Sequence, residues 1–307
     1  MSATTTIVHD LHSRVAATIL AQLDTADPAL WTPPWQGADP MPRNAHTGRR
    51  YRGINVLTLW CAAQGNGYAD SRWATYRQWA ALGAQVRRAE RATLVLFYKE
   101  LPRGAEADPS DSAPFVARAA HVFNAAQVDA APPPTDALTP GATPDPMPTF
   151  DAFVTATGAA IRHGGACACY VPATDTIHLP PQAAFIPTGY AGTLAHELVH
   201  WTGAPHRLAR DLTGRFGART YAAEELVAEL GAAFVLADLD IARTPHPNHA
   251  AYCASWAPLL RADPRALGHA AAQGSRAADY LTALQLETPD EYVDEQRRNA
   301  RLKPGLP

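Results

Sequence analysis

The spacing of apolar positions predicts helices over Ile7–Leu23 and Gly53–Ala63, the second closed by Gly65-Asn66-Gly67. Thr75-Tyr-Arg-Gln78 has the form of a capping box and opens a third, short helix that ends at Gly83. Ala92–Tyr98 and Phe115–Phe123 then read as strands, joined by an irregular loop, Leu101–Pro114. Further on, Phe150–Arg162 has a helical repeat. Ala166–Tyr170 and Thr176–Leu179 form a hairpin around Pro172-Ala-Thr-Asp175, and Tyr190–Thr202 is a helix with Thr188 as its N-cap and Gly203 as its stop. A strong helix starts at Tyr221, and Tyr252–Leu286 is helical with breaks at Pro258 and Pro264. There are no internal repeats.

Between these groups lies Ala131–Pro148, with seven prolines in eighteen residues and almost nothing to bury. It reads as an extended, semi-rigid linker between two domains, long enough to bring one to targets held by the other. The expected organisation is α+β in two domains, residues 1–130 and 149–307, joined by 131–148.

Composition changes this picture little. At 47% apolar and 18% charged residues, the chain can fill two cores. No apolar run approaches the roughly 20 residues of a membrane span. The N-terminus lacks the basic cluster and cleavage site of a signal peptide, so a cytoplasmic protein without membrane contact is expected. Cys61, Cys167, Cys169 and Cys253 include no C-x-x-C pair, and Cys167 and Cys169 are expected to be small buried strand residues.

Charge changes it more. The formal net charge of −3 conceals a segregation: residues 41–100 hold ten Lys and Arg against three acids, a net of +7. Residues 151–307 hold thirteen basic and sixteen acidic groups, a net of −3. Nine of the ten basic residues are arginine, and Tyr51, Trp60, Tyr68, Trp73, Tyr76, Trp79, Phe97 and Tyr98 interleave with them. Guanidiniums neutralise phosphates while flat rings stack on unpaired bases. Arg49, Arg50, Tyr51, Arg52, Arg72, Trp73, Arg77, Arg87 and Arg88 are the candidate contacts to single-stranded DNA. Trp60 and Trp79 lie among apolar helix neighbours and are expected in the core.

His196-Glu197-Leu198-Val199-His200 matches the H-E-x-x-H signature. Residues four apart share a helix face, so both imidazoles can reach one ion, with Glu197 beside them to take a proton from an attacking water. A catalytic Zn²⁺ (or another divalent ion such as Mn²⁺) needs a third protein ligand and an open position. Gly203 and His206 complete HExxHxxGxxH, but that pattern belongs with a downstream Met-turn, and Met1, Met41 and Met147 all lie upstream. On the following helix, Glu225, Glu229, Ala232 and Leu236 share a stripe, and acids on a packed helix are costly unless paired or bound to metal. Glu225 is therefore the expected third ligand, with Glu229 holding a histidine ring from behind; the two could exchange roles. Tyr221 and His206 are the candidates to assist the oxyanion.

These residues together resemble the plasmid-borne antirestriction proteins of the ArdC type. The likeness runs from about Val8 to Ile241. It rests on Thr47-Gly-Arg-Arg-Tyr-Arg-Gly-Ile-Asn55, on Trp73-Ala-Thr75 with Gln78 and Gly83, and on Val122–Val128. It continues through His196–Gly203, Arg207-Leu208 and Tyr221–Gly231. Ala130 stands where a glycine is expected. The resemblance implies a small α+β single-stranded-DNA-binding domain joined to a zincin-like HExxH metallopeptidase domain, protecting incoming foreign DNA from host restriction. The resemblance does not establish that a peptide bond is cleaved; a protein assembled on the same DNA strand is the expected substrate of the metal site. The rival is a DNA-occluding protein whose metal site is only structural.

Overall fold

The computed structural model describes residues 3–25, 40–100, 115–133, 147–212, 219–241 and 257–285. The loop expected at 101–114 and most of the proline-rich stretch lie outside these residues.

In the N-terminal half, helix α1 (Ala3–Thr25) buries Leu11, Val15 and Ile19, spaced by four. Helix α2 (Ile54–Asn66) begins after Gly53 and ends at Gly67, both at positive φ (58° and 68°), which a residue with a Cβ adopts only with strain. Four strands, β1 (Arg43–Asn44), β2 (Arg72–Ala74), β4 (Thr93–Glu100) and β5 (Phe115–Asn124), form a sheet in the order β1-β2-β5-β4. The short strands β3 (Gln85–Val86) and β6 (Val128–Asp129) pair beside it. Buried Asn55 ties α2 to the sheet, since its amide donates to Leu96 O (2.6 Å) and its oxygen accepts from Leu96 N (2.8 Å). Thr75 and Gln78 form the expected capping box at the start of α3 (Tyr76–Ala81). Trp60 and Trp79 are buried as expected. Ala130, in the glycine position, has φ 56°.

The C-terminal half departs from the pattern in several places. Helix α4 spans Met147–Thr157, not Phe150–Arg162: Gly158 at φ 65° ends it, and Ala160–His163 becomes strand β7. The expected hairpin is present, but its first strand, β8, is Cys169–Val171, paired with β9 (Thr176–Leu179) in the order β7-β9-β8. Cys167 and Cys169 are exposed, not buried, because Cys169 lies on edge strand β8 and Cys167 in the segment before it. Helix α5 runs Pro187–Thr202, starting earlier than the capping pattern suggests. Pro187 takes the first turn, where its missing N–H costs nothing, Ile186 precedes it, and Thr188 supplies no cap. Helices α6 (Arg219–Asp238) and α7 (Arg265–Ala283) complete the half, with residues 257–262 helical and Pro264 just before α7.

The two halves pack against each other. Leu11, Leu57 and Trp60 share one hydrophobic cluster with Phe234, Leu267 and Leu281, and α7 packs on α1 and α2 as well as on α6. The α6–α7 crossing is close: a Cβ on Gly274 would lie 2.9 Å from Gly231 N. No helix among the described residues is long and apolar enough to cross a membrane.

Candidate metal centre

Helix α5 is buried from Tyr190 to Val199, which fixes the rings of His196 and His200 on the face toward α6. Their Nε2 atoms lie 3.1 Å apart. Glu225, also buried, places Oε2 3.4 Å from His196 Nε2 and Oε1 3.6 Å from His200 Nε2. One ligand atom from each residue lies within 4.8 Å of the others. Two nitrogens bound to a tetrahedral zinc stand about 3.3 Å apart, so this spacing fits an ion without rearrangement.

Two further observations point to a cation. Glu225 Oε2 is buried and has no hydrogen-bond partner, an uncommon state for a carboxylate oxygen. Burial pulls the His196 pKa down, but Glu225, Glu229 and Glu197 outweigh it and raise it to about 10. So much negative charge around one ring favours a bound positive ion.

The other side of each ring meets a carboxylate. Glu229 Oε2 lies 3.8 Å from His196 Nδ1, the backing position expected for it, and Glu224 Oε1 lies 3.2 Å from His200 Nδ1. Glu224 was not identified from sequence. Its signal is position: one residue from Glu225, it is turned about 100° around the helix and so meets the far side of a ring that Glu225 meets in front. Arg210 holds Glu224 through Nε (3.1 Å) and Nη2 (2.9 Å), and also donates to Thr202 Oγ1 and Val199 O on α5.

Glu197 and Tyr221 line the open cleft in front of the cluster, together with Cys169, Tyr170 and Asp211; its volume is about 220 Å³. Burial, together with the nearby carboxylates of Glu225 and Glu197, raises the Tyr221 pKa. His206 is not in the cleft wall. It is exposed beside Asp175 (3.5 Å) and Arg207, because the chain turns away after Gly203.

A zincin-like metallopeptidase family matches residues 148–273, and the N-terminal domain of anti-restriction factor ArdC matches residues 9–128. The metal-free crystal structure of antirestriction ArdC protein from the R388 plasmid has a TM-score of 0.74 and 37% identity, covering 91% of this chain and 99% of that one. The chain belongs to the ArdC antirestriction family. The Mn(II)-bound structure of the R388 protein also has a TM-score of 0.74, at 36% identity. Protein y4eC of Sinorhizobium fredii is 41% identical over 295 residues, 92% of this chain and 95% of that protein. DNA primase TraC of Escherichia coli is 36% identical over 93% of this chain, which spans only 28% of TraC.

The basic stretch of this ArdC-family chain divides on folding. Tyr51 and Trp73 are buried (5% and 1% exposed), so neither ring can stack on a base. Tyr51 fills the core beside the sheet and donates to Trp73 O, while Trp73 lies on β2 with its ring against Tyr68. Arg72 pairs with Asp70 and donates to Pro132 O; Arg50 pairs with Asp238, and Arg52 with Asp279. Arg87 pairs with Glu90 but remains exposed, as do Arg49, Arg52, Arg77 and Arg88. Among the described residues of this half, Tyr76 and Phe97 are the exposed large rings, at 50% and 44%.

Proposed function

We propose that this chain protects incoming DNA from restriction by binding single strands through residues 1–130 and by a divalent-metal peptidase site in residues 149–307, with 131–148 joining the two. One observation carries the peptidase reading: His196, His200 and Glu225 converge at a cleft that also holds Glu197. A divalent ion held by these three side chains would supply Lewis acidity at a carbonyl and acidify water. Glu197 accepts the proton of the attacking water and passes it to the leaving amine. Tyr221, in the same wall, donates to the developing oxyanion. Glu229 and Glu224 keep the two rings aimed.

Two imidazoles and a carboxylate suit Zn²⁺, and Mn²⁺ is the competing ion given the Mn(II)-bound R388 structure. Elemental analysis of the purified protein decides between them. The substrate is a protein carried on the same strand, its backbone extended along edge strand β8, which borders the cleft. Phosphates contact the exposed Arg49, Arg52, Arg77, Arg87 and Arg88. The stacking role passes from Tyr51 and Trp73 to Tyr76 and Phe97.

Glu197→Gln is the test. The variant should keep its metal and its DNA affinity but cleave no protein assembled on single-stranded DNA in extract. Protection in cells equal to wild type would show that antirestriction needs occlusion of DNA, not proteolysis.

A further inference from the structure

A second cavity, about 440 Å³, lies at the seam between the halves. Its basic wall is Arg43, Arg49, Arg50 and Arg52, from the segment that leads into α2. Opposite stand Asp238 at the end of α6 and Asp279 on α7, the partners of Arg50 and Arg52. The floor is apolar, with Met41 and Phe234. The segment is fixed in place, since Gly53 N donates to Ser275 Oγ on α7 at 2.8 Å.

Four guanidiniums face two carboxylates, an excess of two positive charges in one concavity. Burial, and after it repulsion from Arg43 and Arg52, lowers the Arg50 pKa, so these cations sit close enough to feel one another. Cationic groups gathered around one recess fit the successive phosphates of a nucleotide chain.

We propose that this seam cavity seats the phosphodiester backbone of a single DNA strand on Arg43, Arg49 and Arg52, with Asp238 and Asp279 competing for the same cations. The inference rests on the single-strand reading above and gives it a location. That location matters for the peptidase. Asp238 and Glu225 share helix α6 thirteen residues apart, about 20 Å along its axis. A protein riding on the strand is thereby delivered within reach of the metal cleft by rigid structure, without a flexible tether.

The experiment uses the full chain and a fluorescein-labelled oligothymidylate, read by anisotropy across a salt series, with a melting curve for each variant. Asp279→Asn and Asp238→Asn should each raise affinity, by roughly fivefold for one removed opposing charge. Arg49→Ala and Arg43→Ala, neither of which removes an ion pair among the described residues, should lower it and reduce the log–log salt slope by about one each. If the strand binds but these four variants match wild type, while Arg77→Ala and Arg88→Ala lose affinity, the seam assignment is overturned and single-strand binding stands. If the wild-type chain binds no single strand, both fail. Competition by dTMP at equal nucleotide concentration would make the cavity a free-nucleotide site and overturn the strand assignment.

Discussion

Oε1 of Glu224 stands 3.2 Å from Nδ1 of His200, on the side of the ring turned away from Glu225, and Arg210 clamps the same carboxylate from behind. Burial pushes the Glu224 carboxyl up, but His200 and Arg210 more than offset it and hold its pKa below the usual value. An ionised acceptor at Nδ1 fixes the tautomer that leaves Nε2 free for a metal, and such backing groups typically tune affinity 10- to 100-fold. Glu224→Ala should therefore weaken metal binding by about that factor, measured by chelator competition. Removing Glu224 strands Arg210, whose side chain is only 6% exposed, so the fold suffers too. Glu224→Gln keeps an acceptor for both partners and should melt close to wild type while still binding metal more weakly. Equal metal affinity in the Gln variant would make the contact purely structural.

Much of this centre is legible in sequence because helical spacing is a local property. HExxH places two rings on one face whatever the rest of the chain does, and acids on the buried stripe of α6 advertise Glu225 and Glu229. What escapes is set by distant partners. Arg50 and Arg52 look like DNA contacts until Asp238 and Asp279, about 190 and 230 residues on, are folded against them. Tyr51 and Trp73 look like stacking rings because Tyr51 lies in an irregular segment and Trp73 in the three-residue strand β2, neither long enough to show the alternation that announces a core. In the same way, one glycine at positive φ converts the end of an apparent helix into strand β7.

Two glycines, one on α2 and one at the α6–α7 crossing, give a stability test with opposite signs. Gly65, in the exposed last turn of α2, has open space where a Cβ would sit, so Gly65→Ala gains roughly 0.5–1 kcal/mol from helix propensity. At Gly274 the same gain is offset by a Cβ 2.9 Å from backbone N of Gly231, which cannot swing aside as a side chain could. Overpacking of this kind costs about 1–3 kcal/mol, so Gly274→Ala should be net destabilising. Urea unfolding of both variants checks the pair. A stabilised Gly274→Ala would mean the helices separate at little cost.

Asp175 supplies a pH test away from the metal. Hydrogen bonds from Arg207 and from Tyr170 hold its carboxyl below the usual aspartate range, against the opposing effect of burial. A carboxyl with a depressed folded pKa stabilises the fold above its unfolded value, about 3.9, and loses that contribution as pH falls through the folded value. Asp175→Asn abolishes the titration, and asparagine tolerates the residue's φ of 49°. Below about pH 4 the melting temperature of wild type should therefore fall more steeply than that of Asp175→Asn, with the wild-type advantage confined to higher pH. Parallel curves down to pH 2 would show that the Arg207 pair contributes nothing to folding.

The division of the aromatic residues between core and surface predicts two different phenotypes from the same kind of substitution. Tyr76 and Phe97 are about half exposed, and the Tyr76 hydroxyl only accepts from Gln85 Nε2 at 2.9 Å. Removing either ring leaves the core intact. Base stacking on an aromatic ring is worth roughly 1–3 kcal/mol per base, so Tyr76→Ala and Phe97→Ala should each weaken single-strand binding on the order of tenfold. Duplex binding should change little, because paired bases are not free to stack, and Tyr76→Phe should restore affinity because the ring is what the base meets. Tyr51→Ala and Trp73→Ala open cavities in the core instead and should cost about 3–5 kcal/mol of stability. Anisotropy with single- and double-stranded probes, alongside melting curves, separates the two classes. Equal losses on both probes would leave charge alone to explain how this half holds DNA.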